Sequence, residues 1–261
     1  MAEIDVVLQG FSAGTSEGMI SYCGITLIRG EHNTLVDVGY QGRRIPLVDQ
    51  LAARGLQPTD IDRIVITHGH WDHSLNLLMF PNAEVVLSEE EYDYIQDIHP
   101  LDPATPRYMP DILARCKQVT RVKDGEELEP TVRVMTVPGH SPGSLAVLVE
   151  TPEGIAGMVG DALPSRTAAM ADVPSAGLIF FDEEAGERSA RRILDTCQIV
   201  HPGHDRPFRV EAGNMRYIQS QAITFRNPPR DEDGTMHASI DETRAPFQVT
   251  VHPSARAKGS K

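Results

Sequence analysis

Residues 64–73 have the sequence IVITHGHWDH, in which a short apolar run leads directly into three histidines and an aspartate. A continuous run of apolar and β-branched residues predicts a strand that is buried on both faces. Imidazole and carboxylate groups are the usual nitrogen and oxygen ligands of zinc-like metals. Ligand-type side chains directly after a buried strand lie at the sheet edge where α/β proteins bind their ligands. The stretch therefore predicts a metal site at one edge of a sheet.

The spacing within this run indicates more than one metal ion. On an extended backbone His68 and His70 point the same way, whereas Asp72 and His73 reach a second point nearby. A solvated polar loop is the alternative, but such a dense set of ligand-type residues disfavours it. Two neighbouring sets of ligands are expected, and the rest of the chain must complete them.

Three further candidate ligands follow predicted strands in the second half of the chain, each directly after a glycine. They are His140, Asp161 and His204. A glycine at this point allows the backbone to approach a crowded metal centre. Each of the three residues alone would fit a turn or a cap equally well. Their shared strand-then-loop setting is what favours a metal site.

Hydrophobic periodicity and turn residues predict alternating strands and helices. Strands are predicted at residues 4–8, 22–28, 34–38, 64–67, 84–87, 132–137, 145–150, 155–159 and 198–200. Helices are predicted at residues 45–53, 75–80, 88–98, 183–196 and 213–225, and loops at 11–18 and 99–111. Ser88 and Glu91 fit a capping box at one helix start. Residues 1–226 are expected to form one domain, and 227–261 a partly disordered tail with an apolar segment at 247–251.

The composition is that of an acidic globular protein. Of 261 residues, 40% are hydrophobic and 23% charged, and the formal net charge is −13. Negative charge repels phosphate backbones and anionic lipid, so binding to nucleic acid or membrane is disfavoured. Three widely spaced cysteines suit a reducing compartment. With no signal-peptide pattern at the N-terminus, a cytoplasmic location is expected.

The motif order His-x-His-x-Asp-His, Pro-Gly-His, Gly-Asp, Pro-Gly-His resembles that of the metallo-β-lactamase superfamily. Residues 35–39, with the sequence LVDVG, are similar to that family's first motif. The resemblance implies an α/β fold, an αββα four-layer sandwich. In it, two mixed sheets pack face to face, helices lie outside, and the metals lie at one edge.

The resemblance also implies a role for each candidate. The first metal would be bound by His68, His70 and His140. The second would be bound by Asp72, His73 and His204. Asp161 would bridge the two metals, and Asp37 would orient the ligand loop without touching either. Many zinc β-lactamases have a cysteine at the position of Asp161, and an aspartate there is similar to the lactonase, thioesterase and glyoxalase-II-like branches.

The resemblance and the candidate ligands together predict a metal-dependent hydrolase. Two divalent ions are expected, zinc in first place with iron or manganese as alternatives. A hydroxide bridging them would attack the carbonyl of a small lactone, thioester or ester, and Asp72 would act as the catalytic residue that orients it. The sequence has no serine-nucleophile elbow, phosphate-binding loop or dinucleotide fingerprint that would indicate another chemistry.

Two other functions stay open at this point. One is a metal-dependent phosphodiesterase or ribonuclease, and the other is a non-hydrolytic diiron or metal-binding protein. The expected partner is a small-molecule substrate, with no membrane. Residues 247–251 could add a strand to a second copy and form a homodimer, or pack on their own chain. His201 is not expected to bind metal, because the motif selects the histidine after Pro-Gly.

Overall fold

The computed structural model describes residues 2–15, 18–171, 181–211, 214–224 and 232. Its strands are β1 (Glu3–Leu8), β2 (Phe11–Thr15), β3 (Gly18–Tyr22), β4 (Ile25–Arg29), β5 (Asn33–Val36), β6 (Arg63–Val65), β7 (Glu84–Ser88), β8 (Gln118–Val122), β9 (Glu127–Glu129), β10 (Val132–Thr136), β11 (Leu145–Thr151), β12 (Gly154–Gly160), β13 (Ile199–Pro202), β14 (Phe208–Glu211) and β15 (Asn214–Tyr217). Its α-helices are α1 (Arg44–Ala52), α2 (Trp71–Ser74), α3 (Glu89–Gln96), α4 (Met109–Ala114), α5 (Arg166–Ala169) and α6 (Glu183–Thr196).

The first sheet has six strands in the order β1-β4-β5-β6-β7-β8. Strands β1, β4 and β5 pair antiparallel, and β5 to β8 pair in parallel. Parallel neighbours end at the same edge of a sheet. The residues directly after β5 and β6, which include Asp37 and His68, therefore lie close together.

The second sheet has seven strands in the order β15-β14-β13-β12-β11-β10-β9. All neighbours pair antiparallel except β12 and β13, which are parallel. Strand β10 runs in the same direction as β12, because both are antiparallel to the strand between them. The loops after β10, β12 and β13 carry His140, Asp161 and His204 to one edge.

The two sheets pack face to face through a layer of aliphatic side chains. Val36, Val65 and Val86 from the first sheet belong to the same buried cluster as Val147 and Met158 from the second. Their neighbours Leu35, Ile64 and Val85 point to the other face of the first sheet, where α1, α3 and α4 cover them. Helix α6 covers the outer face of the second sheet. The predicted αββα sandwich is confirmed, and burial on both faces explains the continuous apolar run before the histidines.

Several predictions of single elements are wrong. Residues 11–18, predicted as a loop, contain β2 and the start of β3, which form a hairpin in register from Phe11 opposite Tyr22 to Thr15 opposite Gly18. The helix predicted at 213–225 is absent from the described residues, because 214–217 form strand β15 paired with β14. Only a short 3-10 turn, Leu77–Met79, lies within 75–80. Helix α4 begins at Met109, inside the loop predicted for 99–111.

Other predictions agree closely with the structure, and some concern residues outside those that it describes. Helix α6 has the predicted bounds, Glu183–Thr196. The predicted tail, 227–261, lies outside the described residues apart from residue 232, so the domain boundary and the role of 247–251 stay predictions. In the described part of the chain, no helix combines the length and the hydropathy needed to cross a membrane.

Candidate metal centre

All seven side chains predicted to bind metal meet at one edge of the sandwich. Three overlapping groups have donor atoms within 4.8 Å of one another. These groups are His68, His70 and His140; Asp72, His73 and His204; and His68, His73 and Asp161. We call His68, His70 and His140 the first half of the centre, and Asp72, His73 and His204 the second half.

Asp161 lies between the two halves. Its Oδ2 is 3.5 Å from Nε2 of His140 and 3.0 Å from Nε2 of His204, and its Oδ1 is 3.4 Å from Nε2 of His73. The carboxylate thus contacts one histidine of the first half and two of the second. The preceding residue, Gly160, has φ of 50°, and a Cβ there would lie 2.6 Å from Oγ1 of Thr67. Glycine is required at this point for β12 to approach β6 so closely.

The donor set fits a bound cation. Nε2 of His68 is buried and has no hydrogen-bond partner among the described residues. A buried polar atom without a partner costs about 1–3 kcal/mol. A cation that accepts this lone pair would remove that cost, and nitrogen and carboxylate donors are those that zinc-like metals prefer.

Asp37 lies behind the second half and fixes the orientation of His73. Its Oδ2 is 2.7 Å from Nδ1 of His73 and accepts a hydrogen bond from the hydroxyl of Thr67, while its Oδ1 accepts one from the backbone N–H of Thr67. A proton held on Nδ1 leaves the Nε2 lone pair facing the centre. Asp37 itself has φ of 58°, a left-handed conformation that aspartate adopts more readily than most residues.

The electrostatics differ between the halves. In the first half, burial and neighbouring histidines hold the pKa of His68 well below its usual value, and burial lowers the pKa of His70 to about 4. In the second half, burial would lower the pKa of His73, but Asp37, Asp161 and Asp72 raise it well above the usual value. The pKa of Asp161 stays well below its usual range despite burial, because His204 and His73 are adjacent. The imidazoles of His68 and His70 are therefore neutral near pH 7, the state that binds metal.

Glu91 supports the site, although its sequence pattern does not reveal this. Its side chain is fully buried, and it accepts hydrogen bonds from Gly69 N at 2.7 Å, Gly143 N at 3.1 Å and Ser141 Oγ at 2.5 Å. One carboxylate thus joins the His68–His70 loop to the His140 loop. Burial raises the pKa of Glu91 to about 7, against the opposing effect of these hydrogen bonds.

The capping-box prediction explains why this role was missed. Oγ of Ser88 does accept a hydrogen bond from the backbone of Glu91, as predicted for the start of α3. The Glu91 carboxylate turns instead towards the two ligand loops. The sequence signal for a helix start was present, but the signal for this second function lay in residues far along the chain.

His204, in the second half, is supported by the hairpin β2–β3. Its Nδ1 is 3.0 Å from Oγ of Ser21 and 3.1 Å from the carbonyl oxygen of Tyr22. Gly10 packs so closely on the same loop that a Cβ there would lie 2.5 Å from the carbonyl oxygen of Gly203. His201, in contrast, is absent from all three candidate metal groups of the described residues.

An αββα sandwich with a histidine and aspartate cluster at its edge defines a class of metal-dependent hydrolases. The family model described as "Metallo-beta-lactamase superfamily" matches residues 21–204. The chain belongs to this superfamily and is a metal-dependent hydrolase.

Individual relatives agree with this assignment. Metallo-beta-lactamase domain-containing protein 1 of Xenopus laevis is 30% identical over 213 residues, which are 79% of this chain and 81% of the relative. N-acyl homoserine lactonase of Bacillus cereus is 27% identical over 164 residues, 61% of this chain and 62% of that protein. Among solved structures, the dizinc quorum-quenching lactonase AidC, in complex with a product, superimposes with a TM-score of 0.63 at 20% identity. The match covers 80% of this chain and 83% of AidC. The lactonase structure shows that the fold is shared, and a divalent metal is the cofactor that this family and donor set support.

Proposed function

We propose that the centre binds two zinc ions and that the chain hydrolyses a small carbonyl compound: a lactone, a thioester or an ester. One observation carries the proposal, namely the position of Asp161 between two groups whose donors each lie within 4.8 Å. Nitrogen and carboxylate donors in this number suit two zinc sites. Iron and manganese accept similar donors, so metal analysis must distinguish them.

The ligands follow from the two halves. His68, His70 and His140 would hold one ion, and Asp72, His73 and His204 the other. Asp161 would contact both. Asp37 and Glu91 would not touch metal: Asp37 holds the His73 ring, and Glu91 holds the loops that carry His68, His70 and His140.

When bound, divalent metals at such a centre lower the pKa of a coordinated water towards neutrality and polarise a substrate carbonyl. Asp72 is the residue of the centre that we assign to proton transfer. Its side chain is only 10% exposed, and Oδ2 lies 3.5 Å from Nε2 of His204. A carboxylate here would hold the proton of the attacking water and pass it to the leaving group.

Two observations favour a small carbonyl substrate over a nucleic acid, and a third favours it over a lactam antibiotic. The third is the aspartate at position 161, where many zinc β-lactamases have a cysteine. A protein named as a lactonase is similar to 61% of this chain. A net charge of −13 opposes a polyanion. A cytoplasmic location and a homodimer remain predictions.

The test compares His70→Ala with His32→Ala, because His32 is an exposed histidine far from the centre. Metal content is measured on the purified full chain, and hydrolysis is measured on lactones, thioesters, esters and short RNAs at matched metal loading. We expect zinc in both halves of the wild-type centre. His70→Ala should lose metal and fall to background hydrolysis, whereas His32→Ala should resemble the wild type. Unchanged metal content and activity in His70→Ala would overturn the assignment, and RNA cleavage without hydrolysis of any carbonyl compound would overturn the substrate class.

A further inference from the structure

A cavity of about 590 Å³ is lined in part by Tyr22, whose carbonyl oxygen lies 3.1 Å from Nδ1 of His204. One wall comes from β1 and β2, including Leu8 and Phe11, and the opposite wall from residues 219–224. The two walls are tied together, because the side-chain amide of Gln221 donates to the carbonyl oxygen of Gly10 at 2.6 Å.

Aromatic rings connect this cavity to the candidate ligand loop. The ring centroids of Phe11 and Tyr22 are 6.3 Å apart, those of Tyr22 and Tyr40 are 6.3 Å apart, and those of Tyr40 and Trp71 are 4.9 Å apart. The first three residues line the cavity. Trp71 stands in the chain between His70 and Asp72, and the carbonyl of Tyr22 contacts His204. The row therefore leads from the lining of the cavity to the chain segment that carries His70 and Asp72.

Arg43 lines the same cavity and is 8% exposed. Its guanidinium donates to the carbonyl oxygens of Cys23 and Gln9, each at 3.3 Å, and lies 5.0 Å from the ring centroid of Tyr22. No carboxylate of the described residues lies within the 4.0 Å of an ion pair with it. Burial lowers the pKa of Arg43, which reflects the cost of keeping this charge out of water.

Arg63, another largely buried arginine, differs from Arg43 in having acidic partners. The side chain of Arg63 is 12% exposed and is flanked by Glu84 at 3.4 Å and Glu129 at 3.6 Å. Buried charges in proteins are generally paired, because an unpaired one loses its hydration without compensation. Arg43 contacts two carbonyl oxygens and the face of the Tyr22 ring, but no carboxylate of the described residues balances its charge. A ligand anion would supply it.

We propose that this cavity binds a carboxylate group of the substrate through Arg43, with the apolar body of the substrate along the aromatic row and its scissile carbonyl at the metal centre. The inference rests on the proposed function and adds a substrate class to it: a small carbonyl compound with a free carboxylate at its far end. Arginine pairs with carboxylate through two parallel hydrogen bonds. Arg43 is the one cationic residue among the described residues of the lining, so a monoanion fits better than a phosphate dianion.

The first test uses phenyl esters of linear acids that end in a carboxylate, each paired with the ester that ends in a carboxamide, over a series of chain lengths. At the chain length that fits, kcat/KM should favour the carboxylate by about tenfold to a hundredfold, the worth of a charge-assisted hydrogen bond. Arg43→Met should bring the ratio to about one, and Arg43→Lys should keep part of it. Arg188→Met, a matched loss of charge at a side chain 69% exposed on α6, should keep the wild-type ratio. Thermal melts of each variant establish that it is folded.

The second test measures binding without hydrolysis. Calorimetric titration with an ω-phenyl alkanoate and with its amide should show an affinity difference that disappears in Arg43→Met and not in Arg188→Met. If esters are hydrolysed with no preference for the carboxylate at any length, or if the preference survives in Arg43→Met, the cavity assignment is wrong while the proposed function stands. If no carbonyl compound is hydrolysed but carboxylate binding depends on Arg43, the proposed function fails and the cavity assignment stands. Binding that ignores Arg43 refutes the cavity assignment in either case.

Discussion

The two halves of the metal centre are built from similar residues but supported in different ways. His68, His70 and His140 are each 3% exposed or less, and Glu91 fixes the backbone of both loops that carry them. In the second half, Asp72 is 7% exposed, and His204 is supported by strand β3 of a surface hairpin. In the first half the pKa values of His68 and His70 are lowered, whereas in the second half those of His73 and His204 are raised. Tyr22, whose carbonyl contacts His204, also lines the cavity. Under the proposed function, we therefore expect the first half to retain metal and the second to receive substrate.

The most direct way to break this comparison is to remove one histidine from each half. His140→Ala and His204→Ala should both reduce hydrolysis to background, because Asp161 joins the halves and both are required. Their metal retention should differ. After dialysis against a weak chelator, His204→Ala should keep more metal than His140→Ala, since the first half stays intact. Equal metal retention in the two variants would show that the halves are not distinct.

A second prediction concerns Glu91, whose pKa is raised to about 7 from an ordinary 4.5. Between these values the folded chain holds a proton that the unfolded chain has released, so the free energy of unfolding must fall as pH rises from about 4.5 to about 7. Glu91→Gln cannot titrate. The difference between wild type and Glu91→Gln should therefore change by about 3 kcal/mol across this range and be flat outside it.

Urea unfolding of metal-stripped protein at a series of pH values measures this difference. The histidines of the centre titrate in both proteins, so their contribution cancels in the comparison. Glu90→Gln is the matched control, because Glu90 is the exposed neighbour on α3. A difference that does not vary with pH would show that Glu91 is ionised in the folded protein throughout the range.

The smallest effect is expected at the hairpin. Ser21→Ala removes the hydroxyl 3.0 Å from Nδ1 of His204 but leaves the carbonyl of Tyr22, so His204 keeps one of two contacts. Hydrolysis should fall by no more than about tenfold, at the lower end of the range for residues that orient a metal ligand. Ser12→Ala, at the paired and exposed position of β2, should have no effect. A loss in Ser21→Ala as large as that in His204→Ala would mean that the hairpin controls the whole second half.

The sequence predicted the fold class and the seven candidate ligands because both have local signals. A histidine run directly after an apolar strand is visible in ten residues, and His140, Asp161 and His204 each follow a strand and a glycine. The sequence did not reveal Glu91 as part of the site, because its partners Gly69 and Gly143 are 22 and 52 positions away. Such contacts appear only once two separate loops have been brought together.

The wrong helix at 213–225 has a related cause. Residues 214–217 pair with β14, where Val210 lies opposite Met215 and Phe208 opposite Tyr217. An edge strand is stabilised by its neighbour, and its own sequence pattern is too short to decide between strand and helix. The hairpin β2–β3 was missed in the same way. Its serines and glycines are typical of a loop, but pairing between β2 and β3 makes the segment a two-stranded antiparallel sheet.

The distribution of the proposed ligands over both sheets links metal binding to folding. Residues 68–73 follow a strand of the first sheet, and His140, Asp161 and His204 follow strands of the second, so the ligands meet only after the sheets have packed. An ion bound by the native chain and not by the unfolded chain adds about 4 kcal/mol to the free energy of unfolding when its free concentration is about a thousand times its Kd. The melting temperature of this protein is therefore a property of the protein together with the free metal in its surroundings.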